Sequence, residues 1–184
     1  TRKDIKFAVQ SLARHMHSPT QYNMDQVDHC IDYIRGSKDR CLTITGGGPI
    51  QMIFTVDSSY GTHRDLKSHT GYTGQLHPSS GSIISNSVKQ SITADSSTAA
   101  EYIGAHLACK EIQWVHSFLT EAEGTPPLPA ILFIDNQSTI KMLKNKSNAG
   151  RTKHINLRYN ILRELVATGI IIIKYLPTEY MTSD

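Results

Sequence analysis

Asp135 follows an apolar run, Ile131-Leu-Phe-Ile134, and precedes a second polar pair, Asn136-Gln137, after which apolar residues return at helical spacing through Ile140 and Leu143. The pattern predicts a buried strand that delivers a carboxylate to a helix start. In open α/β sheets the carboxyl ends of strands are where ligands bind, so Asp135 stands where chemistry is done. The same position would also suit a helix N-cap. Asp57 repeats the arrangement, because Ile50-Gln-Met-Ile-Phe-Thr-Val56 reads as a strand that ends on Asp57-Ser58-Ser59. Glu101 falls in the first turn of the longest helical pattern, and Thr98-Ala-Ala-Glu101 fits a capping box in which Glu101 would only satisfy helix amides. Asp184 is the last acidic residue. Carboxylates brought to one sheet edge would repel one another and raise their pKa values, so such a cluster is stable mainly when it holds hard divalent cations. Two such ions about 3.5–4 Å apart can activate a water and stabilise the leaving oxygen in phosphodiester cleavage.

The elements that would position these acids follow from hydrophobic spacing. Residues 2–16 and 21–35 predict two helices, the second closed by Gly36 in a left-handed conformation, and Cys41-Leu-Thr-Ile44 predicts a short strand. Gly46-Gly-Gly-Pro49 is the strongest break, and with no Gly-Lys-Ser/Thr after it, it reads as a linker and not a phosphate loop. The expected organisation is therefore an N-terminal segment over 1–45, a linker over 46–49 and a main domain over 50–184. Within that domain, 69–77 and 82–87 predict a meander, 97–121 the long helix, 151–168 a further helix ended by Gly169, and 170–176 a last strand. A meander followed by βα units predicts an α/β protein with a mixed sheet flanked by helices.

Composition narrows the class. No apolar run approaches the ~18 residues of a membrane span. Three cysteines without a C-x-x-C pair argue against a disulfide or zinc framework. The opening Thr1-Arg2-Lys3-Asp4 lacks a leader pattern, so an intracellular chain is expected. A net charge of +3 permits a polyanionic partner without demanding one.

Five segments in order, Thr55-Val-Asp57-Ser-Ser-Tyr-Gly61, Ser96-Ser-Thr-Ala-Ala-Glu101-Tyr-Ile, Ile134-Asp135-Asn-Gln-Ser138, Arg151-Thr-Lys-His154-Ile-Asn-Leu-Arg158-Tyr and Leu176-Pro-Thr-Glu179, resemble the ribonuclease H domain of copia-type LTR-retrotransposon polyproteins. The start, Arg2-Lys-Asp4-Ile5-Lys-Phe-Ala-Val, resembles the end of the reverse transcriptase that precedes it, so 1–45 would be its connection segment. The resemblance implies a ribonuclease H fold with a five-stranded mixed sheet, and metal-dependent cleavage of the RNA strand of RNA/DNA hybrids during reverse transcription. It implies Mg²⁺, as two ions, or Mn²⁺, held by Asp57, Glu101, Asp135 and Asp184. It places Ser97, Thr98 and Gln137 against the hybrid, with Arg151 and Lys153 as phosphate contacts or a solvated helix end and His154 as a helper in product release. The family's closing helix after the fourth carboxylate is missing from 50–184, which leaves Asp184 at a terminus expected to fray. Implied partners are the hybrid and the upstream reverse transcriptase domains, with no membrane and no small-molecule cofactor, in cytoplasmic virus-like particles and the nucleus. A catalytically silent scaffold of the same fold that binds nucleic acid or protein is the alternative. An integrase core is disfavoured by Glu101 on the first long helix, since those cores carry their last acid on a late helix.

Overall fold

A computed structural model describes residues 2–124, 127, 129–144 and 153–181, with side chains outside the description at 144 and 153–159. Backbone contacts divide the chain into two compact units, Thr1–Thr43 and Ile44–Asp184.

The first unit is a helical pair. A 3-10 turn over Lys3–Ile5 leads into α1 (Lys6–Ala13), shorter than the sequence pattern suggests, and α2 spans Gln21–Gly36. Thr20 starts α2 with a reciprocal cap: its Oγ1 accepts from Asn23 N at 3.3 Å while its own amide donates to Asn23 Oδ1 at 2.9 Å. Gly36 is the last helical residue, and its φ is not among the positive ones, so the expected left-handed closure does not occur; Ser37 caps instead, at φ −125°. The expected strand at Cys41–Ile44 is absent too. Leu42 and Ile44 are 47% and 62% exposed, and a four-residue apolar alternation with no neighbouring strand has nothing to pair with. Neither α1 nor α2 buries a residue, and Phe7, Tyr22 and Met24 stand exposed.

The second unit is built on one five-stranded sheet in the order β3-β2-β1-β4-β5, with β1 Ile53–Ser59, β2 His69–Gln75, β3 Ile84–Lys89, β4 Ala130–Ile134 and β5 Ile171–Tyr175. β1, β2 and β3 are antiparallel neighbours, while β4 runs parallel to β1 and β5 parallel to β4. The mixture follows from the connections. Short loops join the meander, whereas α3 (Ser97–Glu123) carries the chain from β3 to β4, and α4 (Gln137–Lys144) with α5 (Lys153–Ala167) carries it from β4 to β5. α3 buries Tyr102, Ala105, Ala108, Cys109, Ile112 and Val115 against Phe54, Val56, Leu132 and Ile134, which forms the main core. Gly104 makes this close approach feasible. A Cβ there would overlap Ser58 Oγ and meet Thr70 Cγ2 at 3.0 Å and Val56 Cγ2 at 3.2 Å. Gly124 (φ 69°) ends α3 and Gly169 (φ 74°) follows α5, both left-handed, the latter at its predicted stop.

Candidate metal centre

Register places two of the acids side by side. Val56 on β1 pairs with Ile134, the last residue of the parallel β4, so Asp57 on β1 and Asp135 just past β4 come next, side by side. Asp57 is not the residue that ends its strand, as its sequence context suggested. β1 continues through Ser58 and Ser59, which pair with Thr70 and His69 across the ladder. The polar tail of β1 is held by β2 and by a hydroxyl pair, Ser58 Oγ with Thr70 Oγ1 at 3.0 Å, instead of opening into a loop.

Glu101 joins them from the first turns of α3. The capping role that its spacing permits is taken by Ser96, whose Oγ accepts from Ala99 N at 3.2 Å. Glu101 instead faces the sheet, 5% exposed, with Oε1 accepting from Ser58 N at 3.0 Å. Its Oε2 accepts no hydrogen bond among the described residues although it is buried. The cap of α4 is likewise not Asp135. Asn136 Oδ1 accepts from Thr139 N at 3.0 Å, which leaves Asp135 Oδ2 to accept from Thr178 Oγ1 at 2.7 Å. In both helices a neighbouring residue performs the local structural task, so the carboxylate points into the cluster.

Asp57, Glu101 and Asp135 each offer an oxygen within 4.8 Å of the others. Burial pushes the Glu101 carboxyl up to about 8, with Asp57 and then Asp135 adding like-charge repulsion, while the Ser58 amide opposes the shift. A buried acid with one oxygen unpartnered, beside two more carboxylates, is a costly arrangement for a metal-free protein. The donor set is all oxygen and its charge is negative, which suits a hard divalent cation such as Mg²⁺ or Mn²⁺.

The other predicted site residues are placed unevenly. Ser97 is exposed and Thr98 half-buried at the start of α3, and Gln137 opens α4 exposed. Thr139, buried completely, donates to the Thr98 carbonyl at 3.3 Å and ties the starts of α3 and α4 together. Lys153 and His154 begin α5, but their side chains lie outside the described residues, as do Arg151 and Asp184 altogether. Sequence reasoning did not single out Ser58 or Thr178 as partners of these acids. Ser58 and Thr178 sit inside the motif segments Thr55–Gly61 and Leu176–Glu179, so only their roles were missed.

No family model matches the chain. It is 36% identical over 166 residues to the retrovirus-related Pol polyprotein from transposon TNT 1-94 of Nicotiana tabacum, covering 90% of this chain and 12% of that protein. It is 30% identical to the corresponding polyprotein from transposon RE2 of Arabidopsis thaliana, over 100% of this chain and 13% of that protein. The chain thus spans about one eighth of the length of these curated relatives. Among solved structures, the N-terminal RNase H domain of rv2228c from Mycobacterium tuberculosis superposes with a TM-score of 0.53 at 10% identity, covering 72% of this chain and 86% of that one. LC11-RNase H1 in complex with RNA/DNA hybrid gives 0.51 at 9% identity, over 71% and 88%. The prototype foamy virus protease-reverse transcriptase gives 0.51 at 16% identity, over 78% and 20%. The homologues are therefore retrovirus-related Pol polyproteins of copia-type transposons, and the sheet and helices have the ribonuclease H fold.

Proposed function

We propose that this chain is the ribonuclease H segment of a retrotransposon Pol polyprotein, and that it cuts the RNA strand of RNA/DNA hybrids with Mg²⁺ or Mn²⁺ held by Asp57, Glu101 and Asp135. The observation that carries the reading is the three-acid cluster, with an unpartnered buried oxygen on Glu101, at the junction of β1, β4 and α3. Bound divalent ions would activate a water and stabilise the departing oxygen, leaving a 3′-hydroxyl end. The protein's own share is orientation. The Ser58 amide fixes one Glu101 oxygen and leaves the other for the ion, and the Thr178 hydroxyl fixes one Asp135 oxygen in the same way. Asp184 is proposed as the fourth ligand, shared with a second ion.

Ser97 and Thr98 at the start of α3 and Gln137 at the start of α4 are proposed to meet the hybrid's minor groove, where 2′-hydroxyls distinguish RNA from DNA. Arg151 and Lys153 are proposed phosphate contacts, and His154 a helper in product release. No residue pattern here reads bases, so duplex shape sets specificity. The upstream partner would be the reverse transcriptase of the same polyprotein, with residues 1–45 as its connection segment, acting in cytoplasmic virus-like particles and the nucleus.

Labelled RNA in a DNA hybrid tests the reading, with RNA/RNA and DNA/DNA duplexes as controls and with Mg²⁺ or chelator. Cutting confined to the hybrid, dependent on the ion and abolished in Asp57→Asn and Asp135→Asn, is the expected result. Hybrid binding without cutting in either ion would favour the silent scaffold. Undiminished cutting by either variant would remove that residue from the ligand set.

A further inference from the structure

Gln90 follows the last residue of β3, is 2% exposed and takes no part in the core of apolar side chains. Its Nε2 donates to two oxygens at 2.9 Å each, the Thr70 hydroxyl on β2 and the Ala100 carbonyl in α3. Both amide hydrogens are thereby used, whereas Oε1, equally buried, has no partner among the described residues. Retaining a buried amide with an unmet acceptor carries a free-energy cost that a methyl-bearing side chain would avoid. What the site uses is the pair of donors.

Those donors bind the two elements that fix Glu101. Thr70 is completely buried and its hydroxyl meets Ser58 Oγ at 3.0 Å, and Ser58 N donates to Glu101 Oε1. On the other side, Ala100 precedes Glu101 directly, and its carbonyl would otherwise have only its helical partner. Gln90 thus closes a ring through Thr70, Ser58, Glu101 and Ala100, all 7% exposed or less, which ties α3 to β1 and β2 at the level of the acids. Gly104, one turn on, removes the side chain that would push α3 away from the same strands. Like charges at the cluster favour an outward shift of the start of α3, and the ring opposes it.

We propose that Gln90 is a positioning residue for the metal centre: by bridging Thr70 and the Ala100 carbonyl it holds Glu101 within coordinating distance of Asp57 and Asp135. The inference rests on reading those three acids as the ligands of a divalent ion. Gln90 touches neither ion nor substrate. Its removal should therefore loosen the ligand set without altering hybrid binding.

The test is Mn²⁺ titration of the full chain, free ion being followed by electron paramagnetic resonance, with hybrid cleavage measured in parallel. Gln90→Met keeps the volume and removes both donors, and should raise the Mn²⁺ dissociation constant about tenfold, in the range that loss of an outer-shell partner brings. The KM for hybrid at saturating ion should stay at the wild-type value. Thr70→Val should reproduce the effect, and Thr70→Ser, which keeps the hydroxyl, should restore wild-type affinity; this pair carries the test if Gln90→Met fails to fold. A merely structural Gln90 would lower the melting temperature with no change in Mn²⁺ affinity, and that result overturns the proposal. Wild-type cleavage with unchanged Mn²⁺ affinity in both Gln90→Met and Thr70→Val would sink the positioning role while the nuclease reading stands. Weakened Mn²⁺ binding in the variants, in a chain that cuts no hybrid, would sink the nuclease reading and keep the positioning role. No saturable Mn²⁺ binding by the wild type overturns both.

Discussion

Replacing Asp57 by asparagine should make the metal-free protein more stable while removing its activity, and the gain should depend on pH in a definite direction. Glu101 carries a folded-state pKa raised from 4.5 to about 8, first by burial and then by Asp57 and Asp135. A pKa raised on folding means that the native state holds the proton more tightly than the unfolded chain does. The resulting stabilisation is complete below the unfolded value and is lost as pH rises through the folded one. At 1.36 kcal/mol per pKa unit, the wild type in chelator should lose roughly 3 kcal/mol from this group by pH 7 and roughly 5 kcal/mol by pH 9. The Asp57 contribution follows from distance. Oxygens within 4.8 Å of one another repel by about 1–3 kcal/mol for an effective dielectric between that of water and that of a protein surface. Asp57→Asn should therefore melt higher than wild type at pH 9 by about 2–4 °C for each kcal/mol recovered. At pH 5, where Glu101 is neutral in both proteins, the gain should shrink to a small fraction. On the proposed reading of Asp57 as a ligand, saturating Mg²⁺ should reverse the order at pH 9, since an ion stabilises only the protein that binds it. Thermal melts followed by far-UV circular dichroism in chelator at the two pH values decide the matter. An equal gain at pH 5 and pH 9, or a loss at pH 9, would refute electrostatic strain at the cluster.

Two further expectations concern the scaffold. Gly104→Ala should destabilise the second unit by roughly 1–3 kcal/mol in chemical denaturation, because its Cβ overlaps Ser58 Oγ and crowds Thr70 and Val56; a neutral result would mean that α3 can move off the sheet at little cost. Limited proteolysis should cut within the exposed Gly46–Gly48 run and leave a protected fragment beginning near Ile50, and protection of that run with cleavage elsewhere would displace the proposed boundary.

The sheet and its helices were legible because hydrophobic spacing records burial directly. Asp135 could be placed from four apolar residues and a change of period, and β4 lies within one residue of that reading. Errors arose where polarity and structure part company. Ser58 and Ser59 look like loop residues, yet they extend β1 because β2 supplies His69 and Thr70 as ladder partners, which moves Asp57 from the strand end into the strand. Leu42 and Ile44 show the converse, an apolar alternation for which the fold offers no partner. Gln90 had no signal at all. A single polar residue after a weak strand is ordinary, and only its distances to Thr70 and Ala100 reveal its two tasks.

On sequence grounds Asp135 and Glu101 each suit either a helix cap or a metal cluster. In the structure the caps of α3 and α4 fall to neighbouring residues. Ser96 accepts from the amide of Ala99, and Asn136 accepts from the amide of Thr139, so the first exposed N–H groups of α3 and α4 are satisfied one to five residues before or after the acid in question. Glu101, relieved of capping, is 5% exposed, and burial works against its charge. The redundancy is itself the readable signal: an acid at a helix start with a better cap beside it, Ser96 before Glu101 and Asn136 after Asp135, is an acid the helix does not need. Asp57 reaches the same cluster from within a strand, and the three acids converge on one site.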